Sequence, residues 1–580
     1  MRNNFVILFF FLLFSPIVFA QTNYQFLSGE HYYVPKHSIV PTQFVGSDET
    51  GFYVISTNLG EMSEVYLEHF DNNLNRTLSK KVKFLPDKVD RRYEYMYYSN
   101  DQLFILSSYP DYKLEKRFLE VQTVNKKTLA LNPDLRQLIH VDNYSYEYGK
   151  FEFNISPDGK KLLVYCDYPR KKEIEEGKKI RSDRYVFSVF EGNMEKVWSR
   201  EIIFPYKEKV FRVQSYEVNN HGNLLFLGAM FDGEVTTDIM DKDLVNGFVG
   251  TYSFKKMVKN SKSKDLSYKY VVLNYDGKED NPMQYEISLD DKFLRDINMT
   301  IDINGDLICT GFYSKKGILS IKGVFYIRYN GATNEIKIKS YKEFSLDFIT
   351  QGLNDWQMKE VNKQLEKGED VEMYQYDLGN LIFMEDGSIF LLAEQFIDYS
   401  SNIDVSNNYS SRFYERAGGY YGGGFYGGEF FNLGYSGPYM NSMTKSDFND
   451  ILVIRIDREG VIQQFDRITK KQKATSDLYS SYGLATTKDH LYLFYNDNAL
   501  NYNPKWKDKP YTFTGAVDAE SVLVVAKIDM KGNITKEPTV SSRTSKIILN
   551  PKFGIQIAEK TVLIYGRFNS RLQYNKLILE

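Results

Sequence analysis

Two cysteines, three tryptophans, six histidines and fifteen prolines are few for a chain of 580 residues. Each scarcity removes a class of explanation. With only Cys166 and Cys309, both inside apolar runs, the fold is no disulfide scaffold, and the pair reads as two small buried hydrophobes in separate units. The histidines (His31, His37, His69, His140, His221 and His490) are scattered singly, and no Cys-x-x-Cys or His-x-x-x-His pattern occurs. No metal site and no cofactor are therefore expected. Three tryptophans cannot supply one to each of many repeats, which counts against a quinone-cofactor enzyme. Charge of one sign is missing too. Seventy-three Lys and Arg against 76 Asp and Glu give no electrostatic reason to expect nucleic acid or anionic lipid as partner. Beyond residue 20 no apolar run approaches the roughly 20 residues that span a bilayer, so no transmembrane segment is expected in the mature chain.

What is present is aromatic. Forty-six Tyr and 41 Phe favour strands over helices. The first 20 residues read as a signal peptide, with Arg2, an apolar run from Phe5 to Phe14, Ser15-Pro16 and a small residue at Ala20. The expected domains are thus 1–20 as leader and 21–580 as the folded protein, exported to the periplasm or the cell surface.

A seven-residue segment recurs eight times: a polar turn, four mostly apolar residues, then a small one. The copies are 50–56, 101–107, 160–166, 222–228, 305–311, 387–393, 489–495 and 560–566, and only Tyr495 breaks the small-residue ending. Pairs such as Asp158-Gly159, His221-Gly222, Asn304-Gly305 and Asp386-Gly387 suggest two-residue hairpin turns before the segment. The apolar run that follows implies a strand buried on both faces. A second hairpin follows each copy, so seven repeats hold four strands. The eighth ends in Lys576-Leu-Ile-Leu579, a third strand with no chain left for a fourth. Four-stranded sheets repeated around an axis are propeller blades. The expectation is an all-β fold: one β-propeller of eight blades (seven if one repeat is degenerate), closed by a strand from Tyr24–Val34 pairing with the C-terminal one.

The repeat starts lie 51 to 102 residues apart, against about 40–50 for a compact blade. The excess falls at 167–183, 229–267, 394–448 and 496–520, all between the second and third strands. A helix is expected at about 354–367, where Met358, Val361 and Leu365 recur at helical spacing and Gly368 stops it. All these elaborations belong to one face of the disc, and repeat proteins often bind through such a face. Long loops also tolerate insertion at small entropic cost. Within 394–448, glycines alternate with aromatics; Tyr420, Tyr421, Phe425, Tyr426, Phe430, Phe431 and Tyr435 are the candidate partner-binding residues, suited to a protein or a glycan. A solvated tail without a ligand has the same composition.

Catalytic signatures are not found. Gly434-Tyr-Ser436-Gly-Pro438 lacks the last glycine of a nucleophile elbow. Asp302-Ile-Asn304-Gly305-Asp306 has the oxygen-rich look of a calcium loop without its spacing, and reads as a hairpin turn. No catalytic residue is assigned, although acids at the channel mouth leave a hydrolytic function open.

Two stretches carry resemblances. Asn154-Ile-Ser-Pro-Asp158-Gly-Lys-Lys-Leu-Leu-Val164 resembles the repeat of the TolB-type propellers over one blade, which implies protein binding in the periplasm. Asn449-Asp450-Ile451 through Asp457, Lys470-Lys471-Gln472 and Tyr495-Asn496-Asp497-Asn498 resemble a family of uncharacterised exported proteins of Gram-negative bacteria. The expected function is non-enzymatic binding of a protein partner or envelope component. A carbohydrate-active or other hydrolytic propeller is the alternative.

Overall fold

The computed structural model describes residues 24–33, 39–58, 64–84, 90–142, 151–167, 171–175, 178–182, 184–203, 211–231, 268–279, 281–302, 304–315, 320–353, 355–398, 446–474, 479–503, 511–515, 521–568 and 571–580. The leader and the seven aromatic candidates from Tyr420 to Tyr435 lie outside them.

Eight antiparallel sheets of four strands, named A to D in the order in which they pair, form the ring. Blade 1 comprises Ile39–Asp48, Gly51–Asn58, Val65–Asp71 and Arg76–Lys81; blade 3 comprises Phe151–Ile155, Lys161–Asp167, Arg184–Glu191 and Lys196–Ile203. Blade 5 comprises Phe293–Ile301, Leu307–Ser314, Gly323–Tyr329 and Ile336–Glu343. Blades 6 and 7 are built from Tyr376–Phe383, Ile389–Asp398, Ser446–Ile456 and Ile462–Ile468, and from Tyr482–Thr486, His490–Asn498, Ser521–Asp529 and Ile534–Ser541. Blades 2 and 4 have the same plan, with B strands Gln102–Asp111 and Leu224–Phe231. Every one of the eight recurring segments is a strand B.

The reason lies in burial. Strand B of blade 5 is buried at all eight residues, because a second-position strand has sheet on both edges and a neighbouring blade on each face. Strand D of the same blade is almost wholly exposed, and its Ile-Lys-Ile-Lys start sets charges along an edge that would otherwise template aggregation. The small residue that closes the recurring segment, inside strand B, fits a close approach. A Cβ added at Gly311 would sit 1.9 Å from the Asp296 carbonyl oxygen, and one at Gly566 would sit 2.0 Å from Ile547 Cγ2.

Eight apolar clusters each join two adjacent blades, 1 to 2 through 7 to 8 and then 8 back to 1. That last junction is the ring's closure. Blade 8 takes strands B and C from Thr561–Phe568 and Arg571–Ile578, and its strand D is Gln25–Ser28, with Tyr32–Tyr33 continuing along the same edge. Phe26 stands opposite Leu577. The C strand starts five residues before the apolar run at Lys576. Its first half, Arg-Leu-Gln-Tyr-Asn, alternates, and so gives no continuous hydrophobic signal.

The turns differ from the two-residue hairpins that the Gly pairs suggested. Seven hairpins share a longer form in which residue i pairs its backbone with residue i+4: 71–75, 191–195, 219–223, 302–306, 384–388, 457–461 and 529–533. Residue i+3 adopts a left-handed conformation; it is glycine in five turns but Leu74 and Met194 in two. This is a type I turn followed by a left-handed residue, which matches strand twist as well as the shorter turns do. Leu74 and Met194 are buried in inter-blade clusters, which offsets their backbone strain. An Asp or Asn carboxyl or amide oxygen at position i accepts backbone N–H groups in five of the seven.

Helix α1 (Leu346–Thr350) and helix α2 (Asp355–Glu366) lie between blades 5 and 6. In blade 3 a small hairpin, Lys171–Glu175 with Lys178–Ser182, rises from the connection between strands B and C. Cys166 and Cys309 are buried, and no disulfide joins them. Among the described residues, no helix is long and apolar enough to cross a membrane.

Candidate functional site

Alternating strand direction puts the A–B and C–D turns on one face of the ring, and the B–C loops and D–A connectors on the other. The first face is trimmed to the short turns just described. The second carries the long loops, and two of these rise from neighbouring blades 6 and 7.

Blade 6 extends toward this face. Asp398 still pairs with Ser446. The buried rings of Phe396 and Phe448, cross-strand partners, meet with centroids 4.9 Å apart. A short fifth strand, Gln472–Ala474, then pairs with Ser446–Phe448. In blade 7, the chain leaving strand B turns into a 3-10 helix, Ala499–Tyr502, capped by the Asn498 side chain. Asn501 and Tyr511 exchange two hydrogen bonds, which pins the returning chain. Phe513 then lies parallel to Gln472: its N–H donates to the Lys471 carbonyl at 2.9 Å, and its carbonyl accepts from the Lys473 N–H at 2.8 Å.

Beneath both roots is a buried polar network. The Lys470 ammonium donates to the Phe448 carbonyl at 3.1 Å and to Gln472 Oε1 at 2.9 Å, and lies 2.8 Å from Glu394 Oε1. Glu394 Oε2 accepts from the Ser481 hydroxyl at 2.6 Å. Gln472 Oε1 also accepts the Ser481 N–H, while Gln472 Nε2 donates to the Asn496 carbonyl at 2.7 Å. Asn496 Nδ2 reaches the Tyr479 and Leu549 carbonyls, which carries the network to blade 8. Ser481 takes a left-handed backbone at φ 69°, a conformation held only where surroundings over-determine it. Two hydrogen bonds and one ion pair thus hold the Lys470 side chain in place. The network is a clamp. Removing one member of such a buried pair typically costs about 3–5 kcal/mol.

Titratable groups crowd the same seam. Burial raises the Asp450 carboxyl above the ordinary carboxylate range, against the pull of the Arg467 guanidinium 3.6 Å away. Asp497 is also raised by burial, though it accepts from Asn501 and Tyr502. Toward the axis, strand A carries a bulge or register shift in blades 1, 2, 4, 5 and 6, near the end where the strand enters from the loop-bearing face. Asp296 follows the bulge of blade 5. Burial lifts its carboxyl to about 6, the Arg295 guanidinium 3.5 Å away opposes this, and Asp377 on the next inner strand adds to it. Glu152 in blade 3 accepts from Tyr216 of blade 4 at 3.0 Å.

Asp302 and Asp306, the calcium-like pair, are taken by Arg328 and Lys337 and belong to a hairpin turn. Among the described residues, no group of three or more His, Cys, Asp or Glu is placed to hold a metal. The clamp residues Glu394, Lys470, Gln472, Ser481 and Asn496 were not singled out as a site from the sequence. One signal was there: the three stretches carrying the second resemblance, around Asp450, Lys470 and Asn496, meet at this seam.

No family model matches the chain, and no curated protein matches it. Solved structures do. The WD40 domain of SCAP from fission yeast is 8% identical, with 95% of this chain and 98% of that one covered at a TM-score of 0.36. The β-propeller domain of the Trilobed protease from Pyrococcus furiosus is 9% identical over 86% and 96%, at 0.29. Prolyl oligopeptidase B from Galerina marginata is 10% identical, at 0.34, and the chain spans 55% of its length. Likenesses at this level concern the fold alone.

Proposed function

We propose that the protein is an exported, non-enzymatic propeller that binds a protein partner or an envelope component through its loop-bearing face. The observation that carries this reading is the clamp at blades 6 and 7. A buried ion pair and a strained serine are spent on fixing the roots of two long loops side by side, while the opposite face is reduced to short turns. The leader-like residues 1–20 and the TolB-like stretch of blade 3 agree with a periplasmic binding role. The aromatic residues Tyr420 to Tyr435 would then supply contact surface from the loop rooted on Phe396 and Phe448. The test is recovery of partners from envelope extracts by the full chain and by a variant lacking 399–445. Loss of a specific partner with the deletion is expected; equal recovery overturns the role of that loop.

A hydrolytic reading has one observation in its favour. Burial lifts the Asp296 carboxyl to about 6, with Asp377 on the next inner strand adding to the rise, and a raised carboxyl is what a general acid needs. On this reading Asp296→Asn abolishes release of reducing ends from a panel of polysaccharides. No activity in either protein removes it.

A further inference from the structure

We infer that the connector Lys470–Lys473 is a strap that mechanically couples the roots of the two long loops, so that a displacement at one is felt at the other. This deepens the binding-face reading and takes its purpose from it, but the coupling itself is a property of the free protein. The strap is a single extended segment with a different loop root on each edge. On one edge Gln472 and Lys473 pair with Phe448 and Asp447 at the base of strand C of blade 6. On the other, Lys471 and Lys473 bond to Phe513 in the chain returning to blade 7. Extended strands transmit displacement through such ladders because each hydrogen bond fixes its neighbours' register.

The side chains tie the strap down at its middle. Gln472 is wholly buried and uses both ends of its amide: the oxygen accepts from Lys470 and Ser481, and the nitrogen donates to Asn496 at the foot of the 3-10 helix. Its neighbours Lys471 and Lys473 are exposed and contribute backbone groups. The strap's two buried side chains reach both blades, Lys470 to Phe448 and Glu394 of blade 6 and Gln472 to Asn496 of blade 7, so it cannot shift on one side alone. Phe448 and Phe513 are themselves buried, so each root is a packed contact, and energetic coupling travels through contiguous chains of packed side chains and hydrogen bonds.

The experiment is amide hydrogen exchange by mass spectrometry on the whole chain, with no partner added. Phe448→Leu loosens the ring contact with Phe396 without emptying the site. It is expected to speed exchange roughly tenfold at residues 446–450 and also at 511–515, with strand B of blade 3 (161–167) unchanged as the folding control. Lys473→Pro removes the one N–H that bonds to Phe513. In that background 511–515 exchanges fast from the start and Phe448→Leu adds nothing there, whereas Lys473→Ala preserves the response. Gln472→Glu is a second cut: it keeps the acceptor for Lys470 and Ser481 but sets an oxygen against the Asn496 carbonyl. A response confined to blade 6, no response at either root, or one at 511–515 that survives both cuts, overturns the coupling. Because no partner enters, failure here is separate from failure of the pull-down.

Discussion

Asp296 shows how far a single position departs from what its letter suggests. It stands after a bulge on an inner strand, with its carbonyl oxygen filling the space that a side chain on Gly311 would need. Burial holds its carboxyl at about 6, against an ordinary value near 3.9 in the unfolded chain. The folded state therefore keeps the proton more tightly. Its stabilising contribution is full below about pH 4 and is lost as the pH rises through 6. That difference corresponds to about 3 kcal/mol at most. Urea denaturation of wild type and Asp296→Asn should show the variant gaining relative stability by up to that amount between pH 4 and 7; a constant difference would contradict the assignment. None of this was legible in the sequence, because the burial exists only once the strand is packed into the ring, with Asp377 on the next inner strand. The same holds for Glu394 and Lys470. They are far apart along the chain, and nothing in their spacing announces a shared bond.

At the level of strands, much was legible, and for a physical reason. Strand B is buried on both faces, so its apolar run is continuous and survives divergence between repeats. Strand C is only slightly less so. Strand D, exposed along one edge, keeps no hydrophobic pattern, and its existence had to be inferred from the turn before it. The turns were recognised where glycine marked them, yet their length was not, and Leu74 and Met194 hid two turns of the same form behind apolar letters. The missing fourth strand of the last repeat pointed to the first ten folded residues. There Tyr24 packs into the cluster between blades 7 and 8, and Tyr32 into that between 8 and 1. Deleting 24–33 exposes strand C of blade 8 and unburies both rings, at a cost of about 3–6 kcal/mol from burial alone. A lowered melting temperature is expected, restored by adding the peptide 24–33; absence of rescue would show that the strand acts otherwise than by pairing.

For the molecule as a whole, the asymmetry between its two faces matters more than the number of blades. One side is finished with turns that leave little to grip. The other gathers the loops, the helices α1 and α2 and the clamp. The count of eight followed from the repeats, but the clustering of polar residues at one seam required the ring to be closed first. Closure has a further effect on biogenesis. Gln25 sits opposite Ile578, so this strand is made before the other strands of the ring and waits, with its aromatic side chains uncovered, until strand C of blade 8 is made. A polypeptide terminated before Arg571 would leave that waiting edge permanently unmatched, a mark by which cellular quality control could tell finished from unfinished copies.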